Sequence, residues 1–122
     1  MDCKNILNID LEVPKNKTEV WTLTFSESNA AIDISNYTIY FTVKEKKSDS
    51  DAAAKLTKTV TTHSDAVNGE TELYLSKVDT NSLAIGQYYY SIEYNNGLTG
   101  TDLSEGTLQE GRLTITRPTR IG

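Results

Sequence analysis

Short runs in which apolar and polar residues alternate strictly are the feature that most limits this chain. A period of two puts successive side chains on opposite faces of an extended strand, whereas a helix needs its apolar residues about 3.6 apart. Leu7, Ile9, Leu11 and Val13 alternate with Asn8, Asp10 and Glu12 before Pro14 ends the first run. Trp21, Leu23 and Phe25 alternate with Thr22 and Thr24, and Tyr37, Ile39, Phe41 and Val43 with Thr38, Tyr40 and Thr42. Leu56 to Thr62 is a weaker run, with Val60 inward and several threonines that favour extended backbone. Leu73 and Leu75 flank Tyr74, while Tyr88, Tyr90, Ile92 and Tyr94 share one face. In the last run Leu113 and Ile115 face one way, and Arg112, Thr114 and Thr116 the other.

Turn chemistry separates these runs. Asn68-Gly69 and Asn96-Gly97 are dipeptides suited to turns in which both residues have positive φ. Leu108 and Leu113 are out of phase, which predicts a β-bulge at Gly111. Two short segments read as helical: Asp51 to Lys55, and Lys77 to Ala84 with Asp79 or Ser76 as its cap. Seven short strands without a long helix predict an all-β chain. The expected fold is a two-sheet antiparallel sandwich of immunoglobulin type in one domain over 1–122, with an open barrel as the alternative.

Composition removes several kinds of chemistry. The 122 residues hold one Cys and one His, which excludes an internal disulfide and the usual His/Cys zinc sites. No cofactor or metal is therefore expected. Twelve Lys and Arg against seventeen Asp and Glu give a net charge of −5, which argues against a nucleic-acid partner bound through its phosphates. No run approaches the roughly 18 apolar residues of a membrane helix, so no membrane partner is expected. The start, Met1 to Leu7, lacks the basic and then apolar pattern of a secretory leader. A cytoplasmic origin is expected, with Cys3 reduced and the acceptor patterns at Asn16 and Asn36 coincidental.

His63 in Thr62-His63-Ser64-Asp65 suggests a triad, but neighbouring strand residues point to opposite faces, so it reads as a loop-capping residue. Asp49-Ser50-Asp51 offers two carboxylates without a complete calcium loop and reads as solvated charge. Trp21 reads as a core anchor rather than a ligand stacker. Alternation sends Tyr88, Tyr90 and Tyr94 into the core. Tyr40, Tyr74 and Tyr89 are left as surface candidates for contact with a partner or a glycan. The connector from Asn95 to Gly106 is longer than a hairpin needs and adds Leu98, Thr99, Thr101 and Asp102. Residues 1–17 and 117–122 are candidate assembly-contact termini, the latter carrying Arg117 and Arg120.

The stretch Ile32-Asp33-Ile34-Ser35-Asn36-Tyr37 leading into Thr38 to Lys44 resembles a pattern of small immunoglobulin-like domain proteins of tailed bacteriophages. The likeness continues through Thr57 to Thr61, His63 to Gly69, Leu73 to Ser76, Gly86 to Ile92 and Gly111 to Thr116. It covers roughly Thr18 to Pro118 and is similar to the N-terminal domain of phage baseplate upper proteins. Ile85 stands where such domains often have Pro, and the loop from Asn96 to Gly106 is longer than theirs.

The resemblance implies a virion structural protein without catalytic residues. Such a protein is made in the host cytoplasm and serves as a decoration, adaptor or cementing subunit. Its partners would be capsid, neck, tail or baseplate proteins, met through sheet edges and termini. The alternatives are a host-surface glycan recognition module and an accessory module of a bacterial adhesin.

Overall fold

A computed structural model describes residues 7–27, 29–98, 101 and 105–117. Strands dominate: β1 (Leu7–Asn8), β2 (Leu11–Pro14), β3 (Glu19–Thr24), β4 (Ser26–Glu27), β5 (Ala30–Ala31), β6 (Thr38–Lys44), β7 (Leu56–Val60), β8 (Glu70–Leu75), β9 (Gly86–Asn95) and β10 (Glu105–Thr116). One five-residue helix, α1 (Lys77–Asn81), follows β8. A single 3₁₀ turn occupies Asp51–Ala53 after the charged run, and a second occupies Ala66–Asn68.

The large sheet runs in the order β1-β10-β9-β6-β7, with β2 continuing beside β10. Its pairs are antiparallel except that β1 and β2 lie parallel to β10. Strands β3 and β8 form a separate antiparallel pair. This two-stranded layer covers the inner face of the large sheet, because the alternation gives both layers an apolar side. Leu23, Leu73 and Leu75 from one layer are buried with Ile39, Phe41, Val43, Tyr90, Ile92, Leu113 and Ile115 from the other. Fully burying side chains of this size stabilises by about 1.5–3 kcal/mol each. Aromatic contacts tie the layers. Trp21 meets Phe41 at 6.3 Å, and Phe25 meets Tyr94 edge-on at 5.7 Å.

The inward phases of Tyr90 and Tyr94 are as expected, with Tyr88 packed against the core's edge. The first run differs from the prediction. It breaks at Ile9 and Asp10, and Ile9 is 40% exposed rather than inward. Its backbone explains this. The Ile9 N–H donates to the Glu110 carbonyl at 3.0 Å, while the Ile9 carbonyl accepts the Tyr90 hydroxyl at 2.6 Å. The buried Gln109 amide donates in turn to that hydroxyl at 2.8 Å. Asp10 fills the gap in the ladder by accepting the Arg112 N–H at 3.1 Å. A buried phenol thus finds both its partners where the strand kinks.

The predicted bulge exists, but at Leu108, between Thr107 and Gln109. Gly111 answers a different need: a Cβ there would lie 2.3 Å from the Ile9 oxygen. The Asn-Gly pairs also differ from expectation. Only the glycines have positive φ, 76° at Gly69 and 78° at Gly97, so neither forms a two-residue hairpin turn. Strand β10 starts at Glu105, well before the predicted last run, and pairs with β9 back to Asn95.

Candidate interaction surfaces

The register of the large sheet fixes what its outer face presents. Across β6, β9 and β10, Lys44, Tyr89 and Arg112 form one row. Thr42, Ser91 and Glu110 form the next, and Tyr40, Glu93 and Thr107 the one after. Thr57 and Thr59 of β7 stand beside Thr42 and Tyr40. Tyr40 and Tyr89 therefore share this face, two rows apart.

Tyr40 is 38% exposed and lines an open depression of about 340 Å³ with Thr42, Thr57 and Glu93. Tyr89 is engaged: its hydroxyl donates to the Glu110 carboxylate, and Lys47 Nζ lies 5.6 Å from its ring centroid. Burial, then the Glu110 carboxylate, push the Tyr89 hydroxyl far above an ordinary phenol's range, so it remains a donor. Tyr74 belongs elsewhere. It lies opposite Val20 on the outer side of the β3–β8 layer, and both are about half exposed. The three tyrosines thus face outward as expected but do not converge on one platform.

Leu98 is 49% exposed beside a shallow depression shared with Asp33, Ser35, Asn36, Tyr37 and Asn96. The Asn96 side chain accepts the Leu98 N–H at 3.1 Å and shapes the start of the connector. Thr101 and Arg117 are exposed. Cys3, Thr99, Asp102 and Arg120 lie outside the described residues. Within the N-terminal stretch, residues 7–14 lie along the sheet. Lys15 then donates to the Asn81 and Leu83 carbonyls at 2.8 and 2.7 Å, satisfying the end of α1.

His63 is a cross-link. Its Nε2–H donates to the Tyr37 carbonyl, and the Thr71 hydroxyl meets Nδ1, both at 2.8 Å. Thr71 is fully buried, so besides capping the loop at Tyr37 the ring satisfies a polar group inside the layer pair. Asp49 accepts the Lys46 N–H at 3.2 Å within the turn after β6. Among the described residues no group of three or more His, Cys, Asp and Glu could hold a metal ion.

Sequence reasoning missed the guard on the β7 edge. Lys58 pairs with Phe41, an inward position, and its ammonium reaches Asp79 Oδ2 at 2.9 Å. Asp79 also accepts the Ser76 N–H, while Ser76 Oγ accepts the Asp79 N–H, forming the capping box of α1. Burial opposes the Asp79 charge, but the Lys58 and Ser76 donors outweigh it and hold the carboxyl below the usual range. The signal available was a charged residue on the inward phase of a strand. An inward charge on an edge strand discourages pairing with another chain. At the opposite edge, Pro14 and the break at Ile9–Asp10 have the same effect. Both edges of the large sheet are thus guarded against strand addition. The chain matches no protein-family model and no curated protein sequence.

Proposed function

We propose that the chain is a non-catalytic structural subunit of a tailed-phage virion, with an immunoglobulin-like sandwich fold. It docks as a decoration, adaptor or cementing unit on capsid, neck, tail or baseplate proteins. The observation that carries this reading is the path of the chain between layers. It passes from the large sheet to β3, back to β6 and β7, across to β8, and back to β9 and β10. That crossing order, with the first strands parallel to the last, supports a sandwich of this type whose second sheet is reduced to two strands. It agrees with the resemblance that runs from roughly Thr18 to Pro118.

Among the described residues the outer face is polar and its depressions are open, which suits a building block more than a catalyst. The test is mass spectrometry of purified particles of the phage that encodes the chain. A structural role predicts the chain in mature virions at a fixed ratio to the major proteins. Its presence only in the soluble lysate would remove the proposal.

A further inference from the structure

The edges of the smaller layer are built differently from those of the large sheet. Strand β3 pairs with β8 alone, in an unbroken register from Glu19 opposite Leu75 to Thr24 opposite Glu70. Glu70 turns its N–H and its carbonyl away from β3, both to Asp65, at 2.9 and 3.1 Å. Opposite residues of an antiparallel pair share that direction, and it alternates along each strand. Thr24, Thr22 and Val20 therefore point their backbones away from β8, while Leu23, Trp21 and Glu19 bond to it. Phe25 keeps the alternation, donating to the Gly69 carbonyl at 2.8 Å. Val20, Thr22 and Thr24 are exposed, and among the described residues nothing bonds to their three N–H and three carbonyl groups.

The devices that guard the large sheet are missing along this span. It has no Pro, no break in register and no charge on its inward phase, where Trp21 and Leu23 lie. Glu19 shares that phase but stands outside the span, at the first position of the strand. The far edge of the layer is shorter, because Asp65 already occupies β8 at Glu70.

We propose that the open edge of β3 takes an extended segment of a partner protein as an added strand. This goes beyond the virion reading and holds whether or not that reading does. The free backbone groups supply the affinity, and the neighbouring side chains set the chemistry of the segment. On the inward phase the added strand lies beside Leu23 and the half-buried Trp21, which favours apolar residues. On the outward phase Glu72 and Glu70 stand beside Thr22 and Thr24, and no described cation pairs with either carboxylate. These acids lie two strand spacings, about 9.6 Å, from the added strand. The short threonines between leave room for a lysine or arginine stem to reach them. The segment is therefore about five residues of extended chain, basic residues outward alternating with apolar ones inward. A third strand also enlarges a layer that has only two.

Amide hydrogen exchange of the intact chain, read by NMR, tests the proposal with a blocked Lys-Val-Lys-Val-Lys peptide and its Glu-Val-Glu-Val-Glu counterpart. In the free chain the amides of Val20, Thr22 and Thr24 exchange fast and those of Trp21 and Leu23 slowly. The basic peptide protects the first three, by about tenfold at about ten times its dissociation constant. The acidic peptide does not. Thr22→Pro removes an N–H that β8 does not use and abolishes the protection of Val20 and Thr24. Glu72→Lys, an exposed change, weakens the basic peptide about threefold. Circular dichroism establishes that both variants keep the fold. Failure of the basic peptide to protect these amides overturns the proposal, as does equal binding of the acidic peptide or protection that survives Thr22→Pro. Protection that grows with the concentration of the chain alone gives the edge to a second copy and overturns it too.

Discussion

An alanine at Gly111 carries its Cβ to 2.3 Å from the Ile9 oxygen and 2.9 Å from the Ile9 carbonyl carbon. Both are backbone atoms, so no side chain can swing away. Restoring ordinary contact requires the strands to separate by about 1 Å. That displacement breaks the Ile9 N–H to Glu110 bond and the Tyr90 hydroxyl to Ile9 bond. Each is worth about 1 kcal/mol, and a buried phenol left without its acceptor costs about 1–3 kcal/mol more. Against this stands a gain of about 0.4–1 kcal/mol from the reduced freedom of the unfolded chain. The net loss is about 3 kcal/mol, or roughly 10 °C in midpoint. Urea unfolding followed by Trp21 fluorescence measures it, since Trp21 packs beside Phe41 between the layers. Gly106→Ala is the control. Its Cβ meets the Tyr94 hydroxyl at 3.2 Å, an overlap of only a few tenths of an ångström, so a clearly smaller loss than at Gly111 is expected. A Gly111→Ala protein as stable as wild type would refute the Ile9–Tyr90 account.

Three further outcomes follow from the cross-links. Asp79→Ala removes the capping box and the partner of Lys58, costing about 1–2 kcal/mol at neutral pH by denaturant titration. The folded Asp79 carboxyl titrates below its unfolded value. Its contribution is therefore present above about pH 4 and lost as pH falls through the folded value, so variant and wild type converge in acid. His63→Ala takes away the ring that meets the buried Thr71 hydroxyl and should cost about 1–3 kcal/mol in thermal unfolding at neutral pH. Lys15→Ala loses two charge-assisted bonds to the end of α1. Amide hydrogen exchange there should quicken, with a global loss of about 1 kcal/mol.

The strand phases were readable because burial on one face imposes period two. Ile39, Phe41 and Val43 are all fully buried, as their alternation requires. The same rule misplaced Ile9, because the Tyr90 hydroxyl claims its carbonyl and no local pattern reports a bond that spans 81 residues. It also hid the first half of β10. Gly106, Thr107 and Glu110 carry little apolar signal, and the bulge at Leu108 shifts the phase midway. At the surface, the outward direction of Tyr40, Tyr74 and Tyr89 was legible. Their grouping was not, since membership of a layer depends on crossovers between sheets rather than on alternation within a strand. The open edge of β3 emerges only from cross-strand register, which a one-dimensional reading does not hold.

Imaging the assembled particle tests the virion role most directly. Reconstructions of particles made with and without the gene should differ by a small two-layer β density, repeated at regular positions on the head, neck, tail or baseplate. Identical reconstructions from the two preparations would contradict the role.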